Sequence, residues 1–407
     1  MAAPPGSTPG TPRVLRAMND RAALELLAAH GPLTRTRLGE LTGLSKPTAS
    51  QLLSRLESAG LVRTTGNVTG RPGPSARLYE IDPAAAHVAA VAVDRAGITA
   101  AVADITGRTV GEHRVAAPAA DPALRTRTTG LVTEAVHGAL ATAGLAPGAV
   151  CSTVIGTPGA LDPRTGTLRY APHLPGWQSR TLREDLAGAL GSPVVIENDV
   201  NLAAVAEQHH GTAQDFDDFV LVWADEGVGA AIVLGGTPLR GATGGAGEIG
   251  YMPLLPGAPL ARGGQDDAAR PDAGGGFQQL VGSPAVLRLA QEHGIEAPTA
   301  AKALAAAAHT PGAGDAVLTE LAGRLATGLA SVIAVVDPEL VVLSGGIAQA
   351  GGERLRELVE AGLTGLALPR PEIRISALDG DPILLGALRQ ALTDARRTVF
   401  DTARFDV

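Results

Sequence analysis

The run Val194-Val195-Ile196-Glu197-Asn198-Asp199 carries an apolar strand pattern to an end on a carboxamide and a carboxylate. In α/β folds, ligands bind at such strand ends. An Asn-Asp pair offers both donors and acceptors for the hydroxyls of a sugar. Asp is also a good helix cap, and a helical stretch from Val200 to His210 follows directly, so a plain helix start is the competing reading. A second polar set lies near the N-terminus, where Pro47, Thr48, Ser50, Gln51 and Arg55 surround an apolar stripe of Ala49, Leu52, Leu53 and Leu56 at helical spacing. Hydrogen-bonding side chains near a helix N-terminus are what a recognition helix brings to base edges and phosphates in the major groove.

Each set needs a scaffold. Residues 19 to 81 read as helix, helix, turn, helix and two short strands. Asn19 or Asp20 is expected to cap a first helix whose Ala23, Leu24, Leu27 and Ala28 share a face, and His30-Gly31-Pro32 stops it. Thr34 caps a short second helix, Gly43 makes the tight turn, and Ser45 opens the third with Pro47 tolerated in its first turn. Leu61-Val62-Arg63 and Arg77 to Ile81 are expected to pair as strands, with Gly70-Arg71-Pro72-Gly73-Pro74 as the tip between them. An Arg on a stiff, Pro-rich wing can enter a minor groove, which makes Arg71 a candidate contact. From about Pro83 onward, Ala/Val/Gly-rich strands alternate with helical stretches, as in α/β folds.

Composition excludes several classes. A chain of 407 residues is too long for one ordinary core, and with 45% hydrophobic but only 2% aromatic residues its cores must be built from Ala, Val, Leu and Ile. The lone Cys151 rules out an intramolecular disulfide and a multi-cysteine metal site. The N-terminal stretch has no apolar core of signal-peptide length, and no later window approaches eighteen uninterrupted apolar residues, so the expectation is a cytoplasmic protein without membrane contact. Charge is uneven: residues 13 to 80 carry a surplus of five positive charges although the whole chain stands at −8. A basic small domain on an acidic large one fits a phosphate-binding head on a soluble body.

The stretch L-T-G-L-S-K-P-T-A-S-Q-L-L-S-R-L-E-S-A-G-L-V resembles winged helix-turn-helix regulators, with turn glycine, cap serine, apolar stripe and terminal A-G-L-V in register. Further on, P-G-W at 175–177, E-N-D-V-N at 197–201, G-V-G-A-A-I at 227–232, G-A-G-E-I-G at 245–250 and L-S-G-G-I at 343–347 resemble the ROK family of sugar kinases, open reading frames and repressors. The resemblance spans about residues 87 to 395 and, with the N-terminal head, points to the repressor branch. It implies an α/β chain: an N-terminal winged helix-turn-helix plus a two-lobed actin-like (ribonuclease-H-like) sugar-kinase fold with a sugar in the cleft. The expected division is a tail at 1–12, a DNA-binding head at 13–82 and an effector-binding and dimerisation body at 83–407.

Departures from the kinase pattern bear on activity. Where family kinases carry D-x-G-G-T, this chain has Asp94-Arg95-Ala96-Gly97-Ile98, and G-T-G-V-G is replaced by Asp225-Glu226-Gly227-Val228-Gly229. Two carboxylates then stand where an anionic phosphate should lie. Asp199 matches the family's catalytic base, but without a phosphate cradle its remaining task is recognition. Ser344-Gly345-Gly346 is read as a tight strand-to-helix turn needing glycine. The family's zinc ligands are also missing, since Tyr251 replaces the histidine and Phe277 and Gln279 replace the last cysteine and its glutamate, so no metal or cofactor is expected. Residues 257 to 276 are expected to form a mobile loop.

The resulting expectation is a homodimeric, non-enzymatic repressor on double-stranded operator DNA. Thr48, Ser50 and Gln51 would reach base edges, Arg35, Lys46 and Arg55 would neutralise phosphates, and Arg71 would probe the minor groove. Asn198, Asp199 and Glu248, helped by the Gly159 and Trp177 loops, would hold a sugar or sugar-derivative effector. The alternatives are a regulator that keeps ATP-dependent sugar kinase activity and a constitutive DNA binder whose body only dimerises.

Overall fold

The computed structural model describes residues 12–67, 76–94, 96–116, 124–169, 174, 177–254, 276–367 and 369–401. The wing tip with Arg71, and all but Gly276 of the loop expected over 257 to 276, lie outside the described residues.

The head is built by its apolar stripes. Helices α1 (Pro12–His30), α2 (Arg35–Thr42) and α3 (Lys46–Ser58) bury Leu24, Leu27, Leu38, Leu52, Leu53 and Leu56 between them. The start signals at the second and third helices hold: Arg37 N–H donates to Thr34 Oγ1 at 3.2 Å and Thr48 N–H to Ser45 Oγ at 3.4 Å. Gly43 closes α2 at φ 69°, a backbone that favours glycine. The expected cap of the first helix does not hold. Helix α1 begins at Pro12, so Asn19 and Asp20 lie inside it, and the Asp20 carboxylate instead accepts from Arg55 on α3 at 2.7 Å. Strands β1 (Leu33–Thr34), β2 (Val62–Asn67) and β3 (Arg77–Ile81) form an antiparallel sheet in the order β1-β3-β2, the wing's base.

Two five-stranded sheets with identical connectivity make the body. In the first, β4 (His87–Val93), β5 (Gly97–Asp104) and β6 (Thr109–Ala116) run antiparallel, and β7 (Val150–Thr157) and β10 (Val194–Asn198) add parallel strands beyond β4, after the small hairpin of β8 (Ala160–Leu161) and β9 (Leu168–Arg169). In the second, β11 (Phe219–Ala224), β12 (Val228–Leu234) and β13 (Thr237–Pro238) repeat the meander, and β14 (Leu340–Ser344) and β15 (Glu372–Ile375) repeat the parallel pair. This duplicated order is that of the two-lobed, ribonuclease-H-like fold.

Helices α4 (Leu124–Thr142) and α5 (Leu182–Leu190) cover the outer face of the first sheet, while α7 (Gln278–Val281), α8 (Ser283–Glu292), α9 (Ala300–Ala307), α10 (Ala313–Val336) and α11 (Gly346–Leu363) cover that of the second. Helix α10 is long and apolar enough to cross a membrane, and its Leu318, Leu321, Leu325, Leu329 and Ile333 are buried in the lobe core. Between the sheets lie α6 (Asp199–His210), whose Val200, Ala203 and Ala204 pack on the second sheet, and α12 (Pro382–Val399), whose Ala387 and Ala391 pack on the first. They cross where Gly386 meets Leu202, and a Cβ at Gly386 would collide with the Leu202 carbonyl. Small side chains at this crossing let the two helices approach closely.

Candidate functional site

The N-terminal end of α3 presents Lys46, Thr48 and Gln51 to solvent. Arg35 on α2 reaches across and donates to Ser50 Oγ at 3.0 Å, while Ser50 Oγ itself donates to the Lys46 carbonyl at 3.0 Å. Thr48 Oγ1 is engaged with Ser45 Oγ at 2.8 Å. The hydroxyls of this face are therefore held by neighbours, while the exposed Gln51 amide has no hydrogen bond among the described residues. Arg55 differs from the phosphate contact expected of it. Its Nη2 donates to Asp20, whose side chain is only 7% exposed, so it ties α3 to α1.

The cleft is organised by the end of β10 and the start of α6. Asn198, not Asp199, caps α6: its Oδ1 accepts the Asn201 N–H at 3.0 Å, and its Nδ2 donates to the Gly159 carbonyl at 2.9 Å and to Asp199 Oδ1 at 3.1 Å. Gly159, at φ 87°, turns its carbonyl toward the strand end. Asp199 Oδ1 also accepts the Val200 N–H at 2.8 Å, and its Oδ2 has no hydrogen-bond partner among the described residues. Burial pushes the Asp199 carboxyl up to about 6, and the nearby Asp381 charge pushes the same way. Glu248 follows Gly247, whose φ of 89° docks the loop on β12 through an Ala230 N–H to Gly247 carbonyl bond of 2.8 Å. Burial, and then the Asp199 charge, push the Glu248 carboxyl up to about 7. Both raised values make a protonated, hydrogen-bond-donating carboxyl more accessible near neutral pH than for an ordinary carboxylate, which suits the pair to hydroxyls.

Trp177 does not join them. It is 4% exposed and packed with Leu174, Leu182 and Leu186 in the first lobe's core, where it anchors the base of its loop. Asp381 was missed by sequence reasoning. An Asp before Pro382 at the start of an apolar helix is a readable cap, and its Oδ1 does accept the Ile383 and Leu384 N–H groups, but nothing local announced its approach to Asp199.

Both loops at the other end of the cleft are filled by their own side chains. Asp94 Oδ1 accepts the Ala96 and Gly97 N–H groups at 2.6 and 2.7 Å, and Arg114 pairs with Asp94 Oδ2 at 3.0 Å. Asp225 Oδ2 accepts the Gly346 N–H at the start of α11, 3.2 Å away. Helix N-termini are anion sites, and here the anion is a carboxylate of the chain. Gln278 pins the same loop, accepting from the Val228 N–H and donating to the Glu226 carbonyl, both at 3.0 Å. Gly345 takes φ 88° with its Cα against the Ala224 backbone, so this turn requires glycine. Phe277 is fully buried against Gly328 of α10. Among the described residues, no group of three or more His, Cys, Asp or Glu could hold a metal ion.

Comparison with known proteins places this geometry. The MarR family model matches residues 18–71. Over 401 residues the chain is 21% identical to the xylose repressor of Caldicellulosiruptor bescii, spanning 95% of this chain and 98% of that one. Over 254 residues it is 28% identical to the glucokinase of Halalkalibacterium halodurans, spanning 57% of this chain and 73% of that one. The fold superposes with a TM-score of 0.73, at 22% identity, on the crystal structure of a ROK family transcriptional regulator described as a homologue of the E. coli MLC protein, covering 95% of this chain and 99% of that one. With the ROK family model matching residues 88–391, from β4 through the hinge helix α12, the chain belongs to the ROK family.

Proposed function

We propose that the chain is a sequence-specific DNA-binding repressor of carbohydrate metabolism, whose cleft binds a sugar or sugar derivative and does not phosphorylate it. The observation that carries this reading is the asymmetry of the cleft. Its Asp199 and Glu248 end offers carboxyls to a polyhydroxylated ligand, while at its phosphate end Asp225, standing where family kinases carry glycine, occupies the Gly346 N–H at the start of α11. The full-length relationship to a xylose repressor supports a sugar as effector. The head spans 13–82 and the body 83–407, with Gln51 reading bases, Arg35, Lys46 and Arg71 meeting phosphates or the minor groove, and Asn198 and Gly159 fixing the strand end that carries Asp199. The chain works in the cytoplasm as a homodimer; Leu15 and Met18, one turn apart on α1 and 53% and 62% exposed, are suited to a partner's apolar surface.

The test is an operator-binding assay on the full chain with and without a panel of pentoses and hexoses, run beside a coupled ATP-turnover assay with the same sugars. The expected outcome is a sugar-dependent change in operator affinity with no turnover. Turnover with any of these sugars, or operator binding that survives removal of residues 1 to 82, would overturn the reading.

A further inference from the structure

On the face of α6 away from the cleft lies a cavity of about 230 Å³ between α6, α12 and the β12–β13 hairpin. At 100° per residue, its α6 lining residues Asn201, Val205, Gln208 and His209 stand about 180–280° around the helix from Asp199. The cavity is therefore separate from the cleft. Two polar atoms of its lining residues are buried without a hydrogen bond: Asn201 Oδ1, on a side chain that is 2% exposed, and Arg389 Nε. Buried polar groups are rarely left unpaired, so each calls for a partner that the chain does not supply.

The chemistry of that partner follows from the lining. The Arg389 guanidinium forms no ion pair among the described residues, whereas the other charges are already matched: Arg240 pairs with Glu197 at 2.7 Å and Arg397 with Asp394 at 3.2 Å. One cation is left to meet an acidic group. His209 Nδ1 lies 2.9 Å from the Val205 carbonyl and must donate to it, so in the neutral ring Nε2 is an acceptor. Burial favours that neutral ring. Asn201 Oδ1 calls for a donor, the exposed His209 Nε2 can accept a second, and hydroxyls supply both. A cavity of about 230 Å³ suits a small molecule.

We propose that this cavity is a second ligand site, taking a small polyhydroxylated anion, a sugar phosphate or a sugar acid, through Arg389, Asn201 and His209. Its walls come from both lobes, since α12 packs on the first sheet and α6 and the hairpin on the second. An occupant touches elements of both lobes, and its binding does not rest on the proposed function.

Calorimetry on the full-length chain with ribose 5-phosphate, gluconate, inorganic phosphate and neutral ribose tests the site. Submillimolar binding of ribose 5-phosphate or gluconate is expected, with whichever of the two binds identifying phosphate or carboxylate as the acid recognised. Arg389→Gln should weaken that binding at least tenfold without lowering the apparent melting temperature, because the guanidinium has no protein partner to lose. Asp199→Asn, in the cleft, should leave it unchanged. The proposal is overturned if neither anion binds, if Arg389→Gln binds as wild type does, or if Asp199→Asn abolishes binding. Inorganic phosphate or ribose binding as tightly as ribose 5-phosphate and gluconate would likewise overturn it. A cleft that fails to respond to neutral sugars while this site binds would count against the proposed function alone.

Discussion

Asp199 and Glu248 are two carboxyls made reluctant to ionise by burial, with the Asp381 charge adding to the effect at Asp199 and the Asp199 charge adding to it at Glu248. Asp199→Asn keeps the shape and removes a charged acceptor, a loss of roughly 1.5–3 kcal/mol for a hydroxyl it binds. Effector affinity should therefore fall about ten- to a hundredfold, with operator binding in the absence of sugar unchanged. Titration curves of the two proteins against the effector check this. The same pair sets a pH dependence. A carboxyl whose folded pKa is raised above its unfolded value stabilises the fold at low pH and loses that contribution as pH rises through the folded value. Between pH 5 and 8 the wild-type melting temperature should therefore decline, and Glu248→Gln should decline less, the difference reaching about 1–2 kcal/mol at pH 8 after allowing for solvent in the half-open cleft. Melting curves that run parallel for the two proteins would show that Glu248 does not titrate in this range.

The elements of the head separate reading from support. Helix α3 offers Gln51 as its open polar group, so Gln51→Ala should relax base preference by about 1–3 kcal/mol at one position, as seen in competition with operator variants. Arg35→Ala and Lys46→Ala should instead weaken all sequences alike and reduce the steepness of the salt dependence. Arg55→Ala belongs to a different class. It removes one charged partner from the Asp20 carboxylate, which is 7% exposed, and should lower stability by about 1 kcal/mol, less than for a fully buried pair because Arg55 itself is 38% exposed. Affinity for DNA, measured below the melting transition, should change less in Arg55→Ala than in Arg35→Ala.

Across the whole molecule, the crossing of α6 and α12 joins cleft and lobes. Asp199 opens one helix, Asp381 caps the other, and Gly386 lets them touch. Gly386→Ala forces the helices apart and should cost about 1–3 kcal/mol by overpacking. Because the cleft walls move with those helices, the variant should also bind effector more weakly while its head still binds operator. A Gly386→Ala protein with wild-type melting temperature and effector affinity would show that the lobes do not meet there. One apolar cluster continues from Leu24 and Leu53 of the head through Ile81 to Leu388 and Phe400 at the far end of α12, so the helix that starts at the cleft ends in the core shared with the head.

What depends on neighbours within a turn or two was determined by the sequence alone. The stripe of α3, the Thr34 and Ser45 caps, the Gly43 turn and the polar end of β10 are each encoded by spacing that a helix or strand imposes by itself. The first helix shows the limit of such reasoning: Asp20 has the side chain of a cap, but a buried ion pair with Arg55, 35 residues away, claims it instead. Longer separations decided the chemistry. Asp225 meets the Gly346 N–H across 121 positions, and Asp381 approaches Asp199 only because α6 and α12 cross. No local pattern encodes which side chains two lobes bring face to face, because that is set by packing of the sheets and hinge helices. The residues that could bind a sugar were therefore legible in the sequence, whereas the bond from the Gly346 N–H to Asp225, and the raised pKa values that suit Asp199 and Glu248 to hydroxyls, exist only in the folded chain.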